Sequence, residues 1–113
     1  MSAPNHAIQA YRAASGYKSQ RDVEADMFRE VINALRAAQF ADFIQQVKAV
    51  ADNRRLWLAV QAVISDPGNV LPAELRAGIA SLNLAMQRAM HDETPDLDFL
   101  ISVNEAVLAG LTA

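Results

Sequence analysis

His6 and His91 are the only imidazoles in this chain, one near its start and the other beside Asp92-Glu93 in a predicted loop. A transition-metal site needs several converging ligands, and no H-x-x-x-H or equivalent helical spacing occurs. Both histidines are therefore expected in solvent. With no cysteine, disulfides and thiolate metal sites are excluded. A serine nucleophile needs a positioned base, and neither Ser81 nor Ser102 lies in an elbow such as G-x-S-x-G. The carboxylate pairs Glu24/Asp26 and Asp96/Asp98 stand two residues apart, so they do not share a helical face and read as solvated helix starts. Asp66-Pro67-Gly68-Asn69 lacks the glycine spacing and the lysine of a phosphate loop and reads as a turn. No catalytic residue, cofactor or metal ion is expected.

One constellation suits recognition instead. Asn53-Arg54-Arg55-Leu56-Trp57 joins two arginines to the only tryptophan. A tryptophan typically buries 150–250 Å², and a domain with few aromatics is expected to place Trp57 in its core. Adjacent helical residues point about 100° apart, so Arg54 and Arg55 cannot both be buried beside it. At least one should reach solvent, where a guanidinium fork suits a carboxylate on a partner. Arg54 and Arg55 are the candidate partner-binding residues here.

The 113 residues suffice for one domain, spanning 1–113, that buries roughly 65% of the surface its unfolded form exposes. Hydrophobic residues at 52% and charged residues at 20% fit a packed globule rather than a disordered chain. A net charge of -3 argues against direct nucleic-acid binding, which rests on clustered Lys and Arg neutralising phosphates. The start Met1-Ser2-Ala3-Pro4-Asn5-His6 has neither the basic residues nor the apolar stretch of a signal peptide. The densest apolar run, Leu56-Trp57-Leu58-Ala59-Val60, is far shorter than the ~20 residues of a membrane span. A soluble cytoplasmic protein is expected.

The elements that position these residues are all helical, because the apolar spacing is three and four without sustained alternation. A short helix over about 5–14 would be capped by Asn5 and closed by Gly16, offering Ile8 and Tyr11 to a neighbour. The next opens with the S-x-x-D box at Ser19–Asp22 and presents Val23, Met27, Val31, Leu35 and Ala38 on one face. A third region, about 42–65, carries Phe43, Val47 and Val50 on a stripe. Then comes the polar Asp52-Asn53-Arg54-Arg55, either a kink or an exposed turn, and then an apolar half from Leu56 to Ile64 that implies burial against more than one neighbour. Pro67 pushes Asp66 out of helical geometry, and Gly68-Asn69 can supply a left-handed turn.

A fourth helix starts at Pro72, and Leu75, Ile79, Leu82, Met86 and Ala89 or Met90 form its stripe. Gly78 within it, costing about 1 kcal/mol against alanine, points to a close helix contact. A fifth begins at Thr94-Pro95-Asp96, with Thr94 as cap, and runs to about Gly110. Its first stripe is Leu97, Leu100, Ile101, Leu108 and Leu111, interrupted by Asn104, which either fixes register or bonds a buried backbone group. Phe99, Val103 and Ala106 form a second stripe, near Asp92, Glu93, Asp96, Asp98 and Glu105. An apolar strip rimmed by acids is a partner surface, with core packing or a homodimer contact as the competing readings. Phe99 and Val103 complete the candidate partner-binding set. Short connections give an antiparallel bundle of about five helices.

Taken in order, Asn53-Arg54-Arg55-Leu56-Trp57, Asp66-Pro67-Gly68-Asn69, Leu71-Pro72 and Leu75-Arg76-Ala77 resemble the flagellar biosynthesis regulator FlaF, a small bacterial family of non-enzymatic proteins. Ala10-Tyr11, Arg21-Asp22-Val23-Glu24, Phe28 and Ala34-Leu35 resemble its opening helices, and Leu100-Ile101, Val103-Asn104 and Gly110-Leu111 its close. Glu105 departs from the family pattern, where a basic residue is expected. The resemblance implies a cytoplasmic factor that promotes flagellin production and export by contact with flagellin and with the companion regulator FlbT. The alternative is post-transcriptional regulation of flagellin through FlbT alone, without export-chaperone activity. A small hydrolase or transferase, the third reading, finds no nucleophile–base constellation to support it.

Overall fold

Apolar residues recurring at three and four positions produce four helices in the computed structural model, which describes residues 20–113. They are α1 (Gln20–Ala38), α2 (Phe43–Ser65), α3 (Ala73–Met90) and α4 (Leu97–Leu111). The helix expected over about 5–14, His6 and the Ser19 cap lie outside the described residues, so the structure describes four helices where about five were expected. No strand occurs among the described residues.

The boundaries follow from local chemistry. Asp42 caps α2 by accepting from the Gln45 backbone N–H at 2.9 Å. At the other end Asp66 is extended (φ -67°, ψ 125°), as the following proline requires. Its carboxylate accepts from Gly68 N, and the Asn69 amide donates back to the Val63 carbonyl at 2.9 Å. The turn therefore closes through Asx side chains, and Gly68 keeps a negative φ rather than adopting the expected left-handed conformation. Pro72 stands just outside α3 as its cap residue, not at its first helical position. For α4 the cap is Asp96, accepting from Phe99 N at 3.2 Å, in place of Thr94.

Successive helices alternate in direction. Trp57 and Asn53 meet Asn83 and Met90 respectively, which sets α3 antiparallel to α2. Arg36, late in α1, and Gln39, just past its end, reach Glu105 and Asp98, whereas Arg21 reaches the Gly110 carbonyl at 3.2 Å. Thus α4 turns back along α1, and the main contacts run α4–α1–α2–α3. α3 packs chiefly on α2, with one side open.

That openness decides which apolar residues are core. On α1 the buried face is Ala25, Phe28, Ile32, Leu35 and Ala38, while Val23 and Met27 (42% exposed) face outward. The helix carries two apolar stripes sharing Leu35 and Ala38, and the one holding Phe28 wins because Phe28 packs on Trp57. α2 is one unbroken helix in which Ala49, Val50, Asn53, Leu56 and Trp57 are buried. Phe43 is 70% exposed and Val47 is exposed too, so the predicted stripe reaches the core only at Val50. Beyond Trp57, Leu58 and Val63 are exposed because α3 covers only one flank. The α3 stripe grades from Leu75, 49% exposed, through half-buried Ile79 and Leu82 to buried Met86 and Met90.

Gly78 sits in open space: a Cβ built there meets no atom of the described residues within 4 Å. The expected close helix contact is absent at that position. Gly78→Ala should raise unfolding stability by about 0.5–1 kcal/mol in chemical denaturation. A loss of stability would show that the glycine is needed for a contact.

Candidate partner-binding site

Trp57 is 1% exposed and links α2 to each of the other three helices. Phe28 of α1 meets its ring edge-to-face, with centroids 6.0 Å apart and planes at 89°. Its backbone carbonyl accepts from the Asn83 amide of α3 at 2.8 Å. Its indole N–H donates to Asn104 Oδ1 of α4 at 2.8 Å. Asn104 Nδ2 then donates to Asn53 Oδ1 at 2.7 Å, and Asn53 Nδ2 to the Met90 sulfur at 3.1 Å. Because the indole is a donor only, it fixes the direction of this relay: Asn104 must present its oxygen to Trp57 and its amide to Asn53.

Asn53, Asn83 and Asn104 are each at most 2% exposed. Asn104 therefore bonds side chains, the indole and Asn53, rather than a backbone group. Asn53, expected in a polar exposed stretch, is fully buried, and the role of Asn83 was not foreseen. The signal for both was spacing. Asn53 falls at the core position in the series Ala49, Val50, Asn53, Leu56, Trp57, and Asn83 stands three residues before Met86.

The candidate partner residues lie around this centre on different elements. Arg54 and Arg55 are both exposed. Arg55 pairs with Asp52 one turn back on its own helix, an exposed ion pair of small energetic value. Arg54 instead crosses to α3, where its Nη2 donates to the Met90 carbonyl at 3.4 Å. Phe99 (38% exposed) and Val103 lie on α4, and Val103 packs against the core. The structure thus places Arg54 at the α2–α3 seam and Phe99 on the helix that packs along α1. Three of the acids expected to rim the α4 strip are engaged within the fold: Asp96 caps α4, Asp98 accepts from Gln39, and Glu105 pairs with Arg36. Glu105, the departure from the family pattern, thereby ties α4 to α1.

Beside Arg54 the surface dips into a shallow depression lined with Gln87, Arg88 and His91. A second depression, lined by Leu58, Gln61, Ala80, Asn83 and Leu84, continues from it through the shared Gln87. Among the described residues, no group of three or more His, Asp or Glu side chains is placed to hold a metal ion. No described helix is long and apolar enough to cross a membrane.

The relay makes a stability prediction. Trp57→Ala should cost roughly 3–5 kcal/mol, and Asn104→Ala about 1–3 kcal/mol because it strands the indole N–H and the Asn53 side-chain oxygen. In a double-mutant cycle, Asn53→Ala together with Asn104→Ala should cost less than the two single losses added. Strict additivity would mean that the two amides are not coupled.

No curated protein and no solved structure matches the chain. The family described as flagellar protein FlaF matches residues 7–111, which takes in the Asn53–Trp57 motif, the 66–72 turn and the whole of α4. The chain belongs to the flagellar protein FlaF family.

Proposed function

We propose that this protein is a non-enzymatic, cytoplasmic flagellum-biogenesis factor that promotes flagellin synthesis and export by binding flagellin, a FlbT-like regulator, or both. Membership of the FlaF family is the observation that carries the reading. The buried polar side chains, Asn53, Asn83 and Asn104, are engaged in holding the helices together, which suits a binding scaffold better than a catalyst. Arg54, with one hydrogen bond to the Met90 carbonyl, retains further guanidinium donors for a partner. Phe99 supplies a half-exposed aromatic surface on α4.

Separately purified flagellin and FlbT, each presented to the immobilised chain, test the proposal directly. Capture of flagellin supports a chaperone or export role. Capture of FlbT alone favours regulation through that protein. Capture of neither contradicts both.

Single variants locate the contact. Arg54→Ala and Phe99→Ser should each change the melting midpoint by no more than about 2 °C while weakening capture, as expected for exposed side chains. Val103→Ser should instead lower the midpoint by several degrees, because it opens the core. Unchanged capture by both exposed variants would place the partner surface elsewhere.

A further inference from the structure

The seam between α2 and α3 has a cationic end and an apolar end. Arg54, Arg88 and His91, all exposed, converge where α3 terminates. Among the described residues the ion pairs are Arg29–Asp26, Arg36–Glu105 and Arg55–Asp52, so neither Arg54 nor Arg88 has a carboxylate. Asp92 and Glu93 follow His91 directly, are exposed, and make no ion pair with either arginine. The C-terminal carbonyls of α3 favour cations here, and Arg54 serves one of them, at Met90. That leaves Arg88 and the remaining guanidinium donors of Arg54 directed at solvent in a chain whose net charge is -3. One or two turns along, Leu58 and Leu84 flank the seam at 55% and 52% exposure.

We propose that this seam binds a helical segment of a partner protein that presents a carboxylate to Arg54, Arg88 and His91 and apolar side chains to Leu58 and Leu84. Two features select this occupant. Charge complementarity calls for an anion at the cationic end, and a planar fork recognises a carboxylate bidentately. Exposed leucines next to it favour a protein over a phosphate-coated polymer, for which the overall negative charge is also unfavourable. From Ala80 to His91 the α3 wall rises about 16 Å, roughly three helical turns. A matching partner helix would carry its acid and its apolar residues about four and seven positions apart, on one face.

The floor of the seam is connected to the core. Gln87 Nε2 donates to Asn83 Oδ1 at 3.2 Å, and Asn83 Nδ2 bonds the Trp57 carbonyl. An occupant pressing on Gln87 therefore meets a side chain held by the buried asparagines, which keeps the seam in shape before binding. This inference rests on the reading that the chain acts by protein contact, but it does not depend on which protein is bound.

The test is a ¹⁵N nuclear magnetic resonance titration of the full chain. Its probe is an acetylated and amidated helix-forming peptide with glutamate near one end and leucines four and seven residues further on. Saturable shifts at Arg54, Leu58, Leu84, Gln87, Arg88 and His91 are expected. Binding should weaken about tenfold or more for the Glu→Gln peptide, and likewise for Arg54→Ala/Arg88→Ala with an unchanged melting midpoint. Equal binding of the Glu→Gln peptide, or the absence of any saturable shift, would overturn the proposal. Tighter saturation of the same resonances by inorganic phosphate or a short oligonucleotide would also overturn it, in favour of a phosphate site. Concentration-dependent shifts without peptide would do so in favour of a second copy. If Arg54→Ala/Arg88→Ala still captures flagellin or FlbT at full strength, the biogenesis role stands and this seam is not where it is exercised.

Discussion

A buried indole N–H has to find an acceptor, and in this protein that requirement fixes how four helices sit together. The acceptor for Trp57 is a side-chain oxygen on α4, which leaves the amide of Asn104 needing an acceptor in turn. Asn53 supplies it from the same helix as the tryptophan, one turn earlier, and Met90 closes the series with a weak sulfur acceptor. Sliding α4 along α2 by a turn would strand two or three buried polar groups, each costing about 1–3 kcal/mol. Aliphatic side chains alone would tolerate such slippage far better. Here the register is set by hydrogen bonds inside an otherwise apolar core of Leu35, Met86, Leu100 and Phe28.

The same centre explains what is left open. Trp57 draws α1, α3 and α4 towards one level of α2. α3 covers only one flank of α2, so Leu58, Val63, Leu75 and Leu84 remain partly in solvent. The polar-locked hub gives rigidity, and the flanks present exposed apolar and cationic groups at defined positions. Glu105 and Arg36 illustrate the locking side of the division, since they tie the last helix to the first. Arg54 illustrates the presenting side, because its one bond to the Met90 carbonyl orients the guanidinium without consuming it.

Much of this was legible in the residues. Three-and-four spacing located the four described helices to within one or two positions, and Pro67 and Pro72 marked the break between α2 and α3. Trp57 as a core residue followed from its size. Face assignment failed where a helix has two credible stripes: on α1 the choice between Met27 and Phe28 depends on the tryptophan across the interface, which periodicity along one helix does not contain. Asn53 was hidden by its polar neighbours Asp52, Arg54 and Arg55, although its spacing from Ala49 and Trp57 places it on the buried face. For Gly78 a conformational cost suggested a packing reason, and the open space around it shows none among the described residues. At the candidate site, Arg54 was singled out by its motif, but Arg88, Gln87 and His91 join it only through the antiparallel pairing of α2 and α3.

Hydrogen exchange at the Trp57 indole N–H tests the hub most directly. If the relay from Trp57 through Asn104 and Asn53 to Met90 holds the four helices in register, that proton can exchange only when the whole domain unfolds. Its exchange free energy should then equal the global unfolding free energy from denaturant titration and fall with added denaturant at the same slope. An exchange free energy several kcal/mol lower and insensitive to denaturant would mean that the indole opens locally, and that the helices are held by something other than this relay.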